Sequence, residues 1–273
     1  GGSNYYATAY VNVGSLPTIG KTVYAKTGYM AKYPERKVFN DLTNNNDLIL
    51  RFKLKEGNGR YVIDEKSGKS FEIKGSPQWV EFDGNRFGGT YPFYKNDKKY
   101  ALFFKERSYI FIPGINMPYK NFTLSFWLNA YGLNDVKYFL FGNPDGCYVY
   151  LDKYGVGYTD GITKKDGAQV AVTSFQTDFW HKVVISVSND VLPIINCFID
   201  DYKYPSSYQF SSFNPKFSTG IFVGGNGYSF NGSITNGNEI NKSLPVPIAD
   251  ISLFNRELSE REIRNIYMGC RYY

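Results

Sequence analysis

Ile248-Ala249-Asp250-Ile251-Ser252-Leu253-Phe254-Asn255-Arg256-Glu257-Leu258-Ser259-Glu260-Arg261-Glu262-Ile263-Arg264-Asn265-Ile266-Tyr267 is the stretch whose reading decides the fold. Its first part alternates, with Ile248, Asp250 and Ser252 set against Ala249, Ile251 and Leu253. Successive side chains of a strand point to opposite faces, so this is a strand pattern. The second part is a helix start. Ser259 followed three residues later by Glu262 forms a capping box, in which each side chain satisfies a free backbone N–H of the first turn. Leu258 and Ile263 fit a hydrophobic staple, Ile263, Ile266 and Tyr267 share one face, and Gly269 suits the C′ position. Glu262 supplies only the reciprocal half of the box, so Ser259 is expected to matter more.

Upstream, short strands and turns alternate. Phe122, Leu124, Phe126 and Leu128 alternate strictly with Thr123, Ser125, Trp127 and Asn129, which predicts a half-buried strand. Val183, Ile185 and Val187 are expected to face inward beside them. Asn58-Gly59, Asp83-Gly84, Asp145-Gly146 and Asp166-Gly167 mark turns. Asn226 to Pro247, rich in Gly, Asn and Ser, is the longest loop. The 25 Tyr and 22 Phe, with 27 Gly, favour strands and tight turns over helices. The fold class is therefore all-β, a two-sheet antiparallel sandwich closed by one short C-terminal helix.

Residues 1–47 read differently. Tyr5–Val13 and Thr22–Lys26 are strand-like, and the segment closes in Asn44-Asn45-Asn46-Asp47, a linker composition. It is too small for a core of its own. The expected division is an extended N-terminal arm or strand extension over 1–47 and the sandwich over 48–273.

The formal charge of +6 is concentrated in residues 48–120, around Lys95, Lys98, Lys99, Lys105 and Arg107. This reads as a solvated loop between strands. No Arg-rich helix, zinc-finger spacing or RNA-recognition motif accompanies it, so no specific nucleic-acid partner is expected. No apolar run reaches the length of a membrane span, so membrane insertion is not expected either. Of the three cysteines, the period of two places Cys147 with Val149 and Leu151, and Cys197 with Ile195 and Ile199. Both read as small buried hydrophobes in strands.

The ordered set Phe122-Thr123-Leu124-Ser125-Phe126-Trp127, Phe179-Trp180-His181-Lys182-Val183, Cys197-Phe198-Ile199-Asp200-Asp201 and Ile221-Phe222-Val223-Gly224-Gly225 resembles the laminin-G-like branch of the concanavalin A-like lectin/glucanase superfamily. So do the Asp250–Ile263 finish and the early turn Asp64-Glu65-Lys66-Ser67-Gly68. The match covers roughly 48–268. The resemblance implies a jelly roll of two curved antiparallel sheets. That architecture hosts lectins, adhesion modules, glycosidases, toxin segments and virion proteins alike, so it does not choose among them.

Glycoside hydrolysis needs two carboxylates flanking the sugar bond. Catalytic relatives of the fold carry Glu-x-Asp-x-Glu on one strand, a triplet this sequence lacks. Asp64-Glu65 and Asp200-Asp201 are adjacent, so on a strand they would point to opposite faces. His181, the single histidine, makes a Ser-His-Asp triad or a multi-histidine metal site improbable and reads as structural. No catalytic residue is assigned, and the chain is expected not to be an enzyme. Trp127 and Trp180 read as packing, and Trp79 as packing or a sugar-stacking platform.

Rim turns supply the candidate ligand-binding residues Asn143, Asp145, Tyr148, Tyr158 and Asp160. Calcium is the cofactor such hard oxygen donors would take, with Asp145, Asp160 and Asp200 as candidate ligands. The expected function is a non-catalytic binding or adhesion module for glycan or surface protein, outside a cell or on a virion surface. The alternative is a structural subunit of a larger assembly (virion, pilus or surface layer) that self-assembles through residues 1–47.

Overall fold

The computed structural model describes residues 46–81, 100–105, 107–118, 121–129, 133, 136–159, 169–171, 180–188, 194–200, 202–204, 219–227 and 243–271. Tyr5–Val13, Thr22–Lys26, Asp83-Gly84, Asp160 and Asp166-Gly167, for which the sequence raised expectations, lie outside these residues. In chain order the strands begin with β1 (Leu48–Phe52), β2 (Tyr61–Ile63), β3 (Ser70–Lys74), β4 (Gln78–Glu81), β5 (Tyr100–Phe103) and β6 (Tyr109–Ile112). Next come β7 (Phe122–Asn129), β8 (Tyr138–Gly142), β9 (Tyr148–Asp152), β10 (Gly155–Thr159) and β11 (Gln169–Ala171). β12 (Trp180–Ser188), β13 (Ile194–Ile199), β14 (Tyr202–Tyr204), β15 (Ile221–Val223) and β16 (Pro247–Phe254) precede helix α1 (Glu260–Arg271).

One sheet has the order β14-β13-β12-β7-β16-β5-β4, with β1 also on β16; the other is β11-β10-β9-β8-β15-β6-β3-β2. Neighbours run antiparallel. The expected sandwich is therefore present. Phe122, Leu124, Phe126 and Leu128 join Val183, Ile185 and Val187 in the core between the sheets, with Val149, Leu151 and Val223 of the opposite sheet. Phe122 meets Tyr158 edge-on across the gap, ring centres 5.4 Å apart. Cys147 and Cys197 are both buried in this core, as their spacing predicted, Cys197 within β13 and Cys147 just before β9.

β7 departs from the half-buried expectation, because all eight of its residues are buried. Its outer positions lie beneath α1. Leu258, Ile263 and Ile266 pack on Val184, Phe198 and Phe254, while Trp127, Trp180, Ala101 and Ala249 pack beside Tyr267. Each aliphatic side chain so buried contributes roughly 1.5–3 kcal/mol. The helix also runs past Gly269 to Arg271 rather than stopping there. A glycine inside a helix costs about 1 kcal/mol relative to alanine, which a docked helix tolerates.

β16 changes neighbour midway. Pro247 and Ile248 pair with β5, whereas Ile251 to Phe254 pair with β1. Asp250 lies at the changeover with φ 47°, inside the register shift against β7. Its N–H donates to Lys53 O, and its side chain meets the buried Arg51. Partner exchange thus coincides with a bulge, which turns an extra residue out of the ladder.

Candidate functional site

Asn143 Nδ2 donates to Thr219 O (3.1 Å) and Gly220 O (3.0 Å), and its Oδ1 accepts the Asp145 N–H at 2.9 Å. The side chain is buried and ties the β8–β9 turn to the entry of β15. Asp145 is exposed on that turn. Tyr148 packs on Phe139 on the outer face of its sheet, whereas Tyr158 lies in the core between the sheets. The two tyrosines therefore point to opposite faces and do not converge.

Asp200, at φ 59° in the β13–β14 turn, accepts the Lys182 N–H through Oδ1 (3.0 Å). Its Oδ2 lies 3.0 Å from His181 Nδ1. Asp145 and Asp200 belong to turns of different sheets. Among the described residues, no three His, Cys, Asp or Glu side chains gather as a metal site would require. Both Asp200 oxygens and the Asn143 amide oxygen accept hydrogen bonds from protein donors. His181 is held by Asp200, in keeping with its structural reading. Trp79 is half-buried, its indole N–H donating to Gly59 O at 2.9 Å. Burial pushes the Cys197 thiol up to about 12, so it stays protonated and is no nucleophile.

The buried carboxylates among the described residues are Asp64, Asp152 and Asp250, and each serves the fold. Asp64 accepts the Arg51 and Lys66 N–H groups through Oδ1, and the Ser67 N–H and hydroxyl through Oδ2. This builds the Asp64–Gly68 turn that the sequence singled out. Asp152 accepts the N–H groups of Tyr154 and Gly155 at the β9–β10 turn. Asp250 holds Arg51.

A second region was not anticipated. Where α1 begins, a cleft of about 410 Å³ opens between the helix and the outer face of β12–β13. Ser186 and Asn196, directly paired across the two strands, line it with Phe198 and Leu258. Lys203 and Glu260, 3.4 Å apart, also line it. Arg256 binds Asp47 (2.8 Å) and Glu262 (2.9 Å) beside it. The side-chain hydrogen bond from Arg256 holds the Glu262 carboxyl below the usual range. The only sequence signal was two polar residues, Ser186 and Asn196, at outward positions of strongly apolar strands.

A family profile described as the concanavalin A-like lectin/glucanases superfamily matches residues 104–264, more than half of the chain. The chain belongs to that superfamily. Among solved structures, the binding domain of Paraclostridial Mosquitocidal Protein 1 is similar at TM-score 0.57 and 16% identity, over 83% of this chain and 52% of that one. The binding domain of botulinum neurotoxin DC, solved with rat synaptotagmin II, is similar at 0.53 and 14%, over 83% and 52%. A Trypanosoma rangeli sialidase mutant displaying trans-sialidase activity is similar at 0.52 and 14%, over 90% and 38%. The chain thus spans about half the length of the toxin chains and less of the sialidase. At these identities the likeness is one of fold. No curated protein sequence matches at a significant level.

Proposed function

We propose that this chain is a non-catalytic recognition module that binds a glycan or protein partner at a cell or particle surface. The observation that carries this reading is three tyrosines at strand edges and turns with most of their area in solvent. Tyr61 is 60% exposed on β2, Tyr154 51% in the β9–β10 turn, and Tyr202 62% on β14. Tyrosine combines an apolar ring with a polar tip and loses little conformational freedom on binding, which suits a contact surface. Commitment of Asp64, Asp152 and Asp250 to structural bonds favours binding over hydrolysis. The toxin binding domains that share the fold support the same reading.

The test is saturable binding of the full chain to intact cells, with and without enzymatic removal of surface glycans, alongside release of reducing sugar from β-glucans and galactans. Binding without sugar release is the expected result. Sugar release lost on mutating a single Asp or Glu overturns the non-catalytic reading, and no saturable binding overturns the module.

A second reading, a subunit of an assembly with residues 1–47 as its arm, is favoured by the sheet edges. Among the described residues, β14 and β4 end the first sheet, and an end strand can accept another strand. Light scattering on the full chain beside a chain starting at Leu48 separates the two. Assembly predicts a large mass that collapses on truncation.

A further inference from the structure

We infer that the cleft between α1 and the outer face of β12–β13 is a binding site for a neutral sugar unit; this rests on the glycan branch of the proposed function and places it on the sheet face rather than at the rim. The floor carries the argument. Ser186 is 1% exposed, yet its hydroxyl has no hydrogen-bond partner among the described residues. A buried hydroxyl left unpaired weakens a fold, and such groups call for a ligand or water to complete them. Asn196 stands beside it in register and adds an amide that both donates and accepts.

The walls select the ligand class. The two cations of the cleft are already occupied, Lys203 by Glu260 and Arg256 by Asp47 and Glu262. Among the described residues an anion would meet no uncommitted positive charge in the cleft, and it would face Glu257 as well. A pyranose ring suits the site better. Its hydroxyls donate to carboxylate lone pairs and accept from the amide and the ammonium, while its C–H face lies on Phe198 and Leu258. Lys203 Nζ is already 5.9 Å from the centre of the Phe198 ring, so the polar and apolar parts adjoin. At about 410 Å³ the cleft falls within the roughly 300–1,000 Å³ range of small-molecule sites.

The experiment is a two-dimensional amide NMR titration of the full chain with methyl α-mannoside, methyl β-galactoside, N-acetylglucosamine and lactose, with inorganic sulfate as the charged control. The expected result is saturable shifts at Ser186, Asn196, Lys203 and Glu260 with at least one neutral saccharide and none with sulfate. In Ser186→Val and Asn196→Leu those shifts should vanish. Ser186→Val should melt no lower than the unaltered chain, since it removes only an unpaired hydroxyl. Shifts that persist in both variants, map elsewhere, or arise only with sulfate overturn the site, as does no saccharide shift at all. Saturable cell binding without cleft shifts removes the site and leaves the recognition module standing. Loss of cell binding by the unaltered chain removes the module itself.

Discussion

The Arg51 guanidinium holds the Asp250 carboxylate through two parallel bonds, Nε to Oδ1 at 2.9 Å and Nη2 to Oδ2 at 3.0 Å, across 199 residues of sequence. Both groups are buried, and the pair fastens β1 to β16 at the bulge where β16 changes neighbour. Arg51→Met leaves a buried carboxylate without its paired guanidinium and should cost roughly 3–5 kcal/mol in urea melts at neutral pH. If that loss stays under about 1 kcal/mol, the pair adds no more than an exposed one.

The same pair sets an acid limit. Burial pushes the Asp250 carboxyl up, but the charge and hydrogen bonds of Arg51, with Lys182 and Lys53, outweigh it and hold the group below its ordinary value. A carboxyl depressed in the folded state stabilises fully above its unfolded value, about 3.9. That contribution is lost as pH falls through the folded value. Melts below about pH 4 should therefore show a falling stability that is shallower in Asp250→Asn, and equal slopes would remove Asp250 as a cause.

At the helix start, the box is present: Glu262 N–H donates to Ser259 Oγ at 3.2 Å and Ser259 N–H to Glu262 Oε2 at 2.8 Å. Ser259→Ala should cost about 1 kcal/mol. Sequence alone ranked Glu262 below Ser259, but Glu262 also takes both Arg256 terminal nitrogens, which the sequence did not reveal. Glu262→Ala should therefore cost at least as much. Thermal melts showing the reverse order would mean that the Arg256 bridge carries no net weight.

Gly157 faces Tyr150 across the β9–β10 ladder, and a Cβ there would stand 2.0 Å from the tyrosine ring. Gly157→Ala must displace a buried ring and should cost about 1–3 kcal/mol. The double variant with Tyr150→Ala should show strong coupling in a mutant cycle. Additive losses would place the strain elsewhere.

Asp64 draws four donors onto one carboxylate, three N–H groups and the Ser67 hydroxyl. Asp64→Ala should cost about 2 kcal/mol or more, since hydrogen bonds to a charged group are each worth roughly 1.5–3. Amide exchange should quicken at Arg51, Lys66 and Ser67. Unchanged exchange at those three residues contradicts this account of the turn.

Much of the fold was legible because strand and helix periods are local. Phe122–Leu128 declared its inner face, and Ser259 with Glu262 declared the helix start. What covers the outer face was not legible. Thr123 and Ser125 resemble solvated positions, and only tertiary docking of α1 shows them buried. The rim candidates rested on residue type. Asn143 and Tyr158 are of binding type, yet one ties down a turn and the other fills the core. The cleft at Ser186 and Asn196 depends on two strands and a helix meeting, which no window of sequence contains.

The β1–β16 pairing fixes how this domain bears load. Leu48 pairs with Phe254, so the chain enters β1 and leaves β16 at the same end of the ladder. Asn255 N–H donates to Asp47 O just beyond, and Arg256 clasps the Asp47 side chain. Tension applied through residues before Asp47 and through α1 therefore acts across the hydrogen bonds, opening them one after another like a zip. A shear geometry would load them together and resist far more. The Asp47–Arg256–Glu262 clasp stands at the end of the ladder where that opening begins.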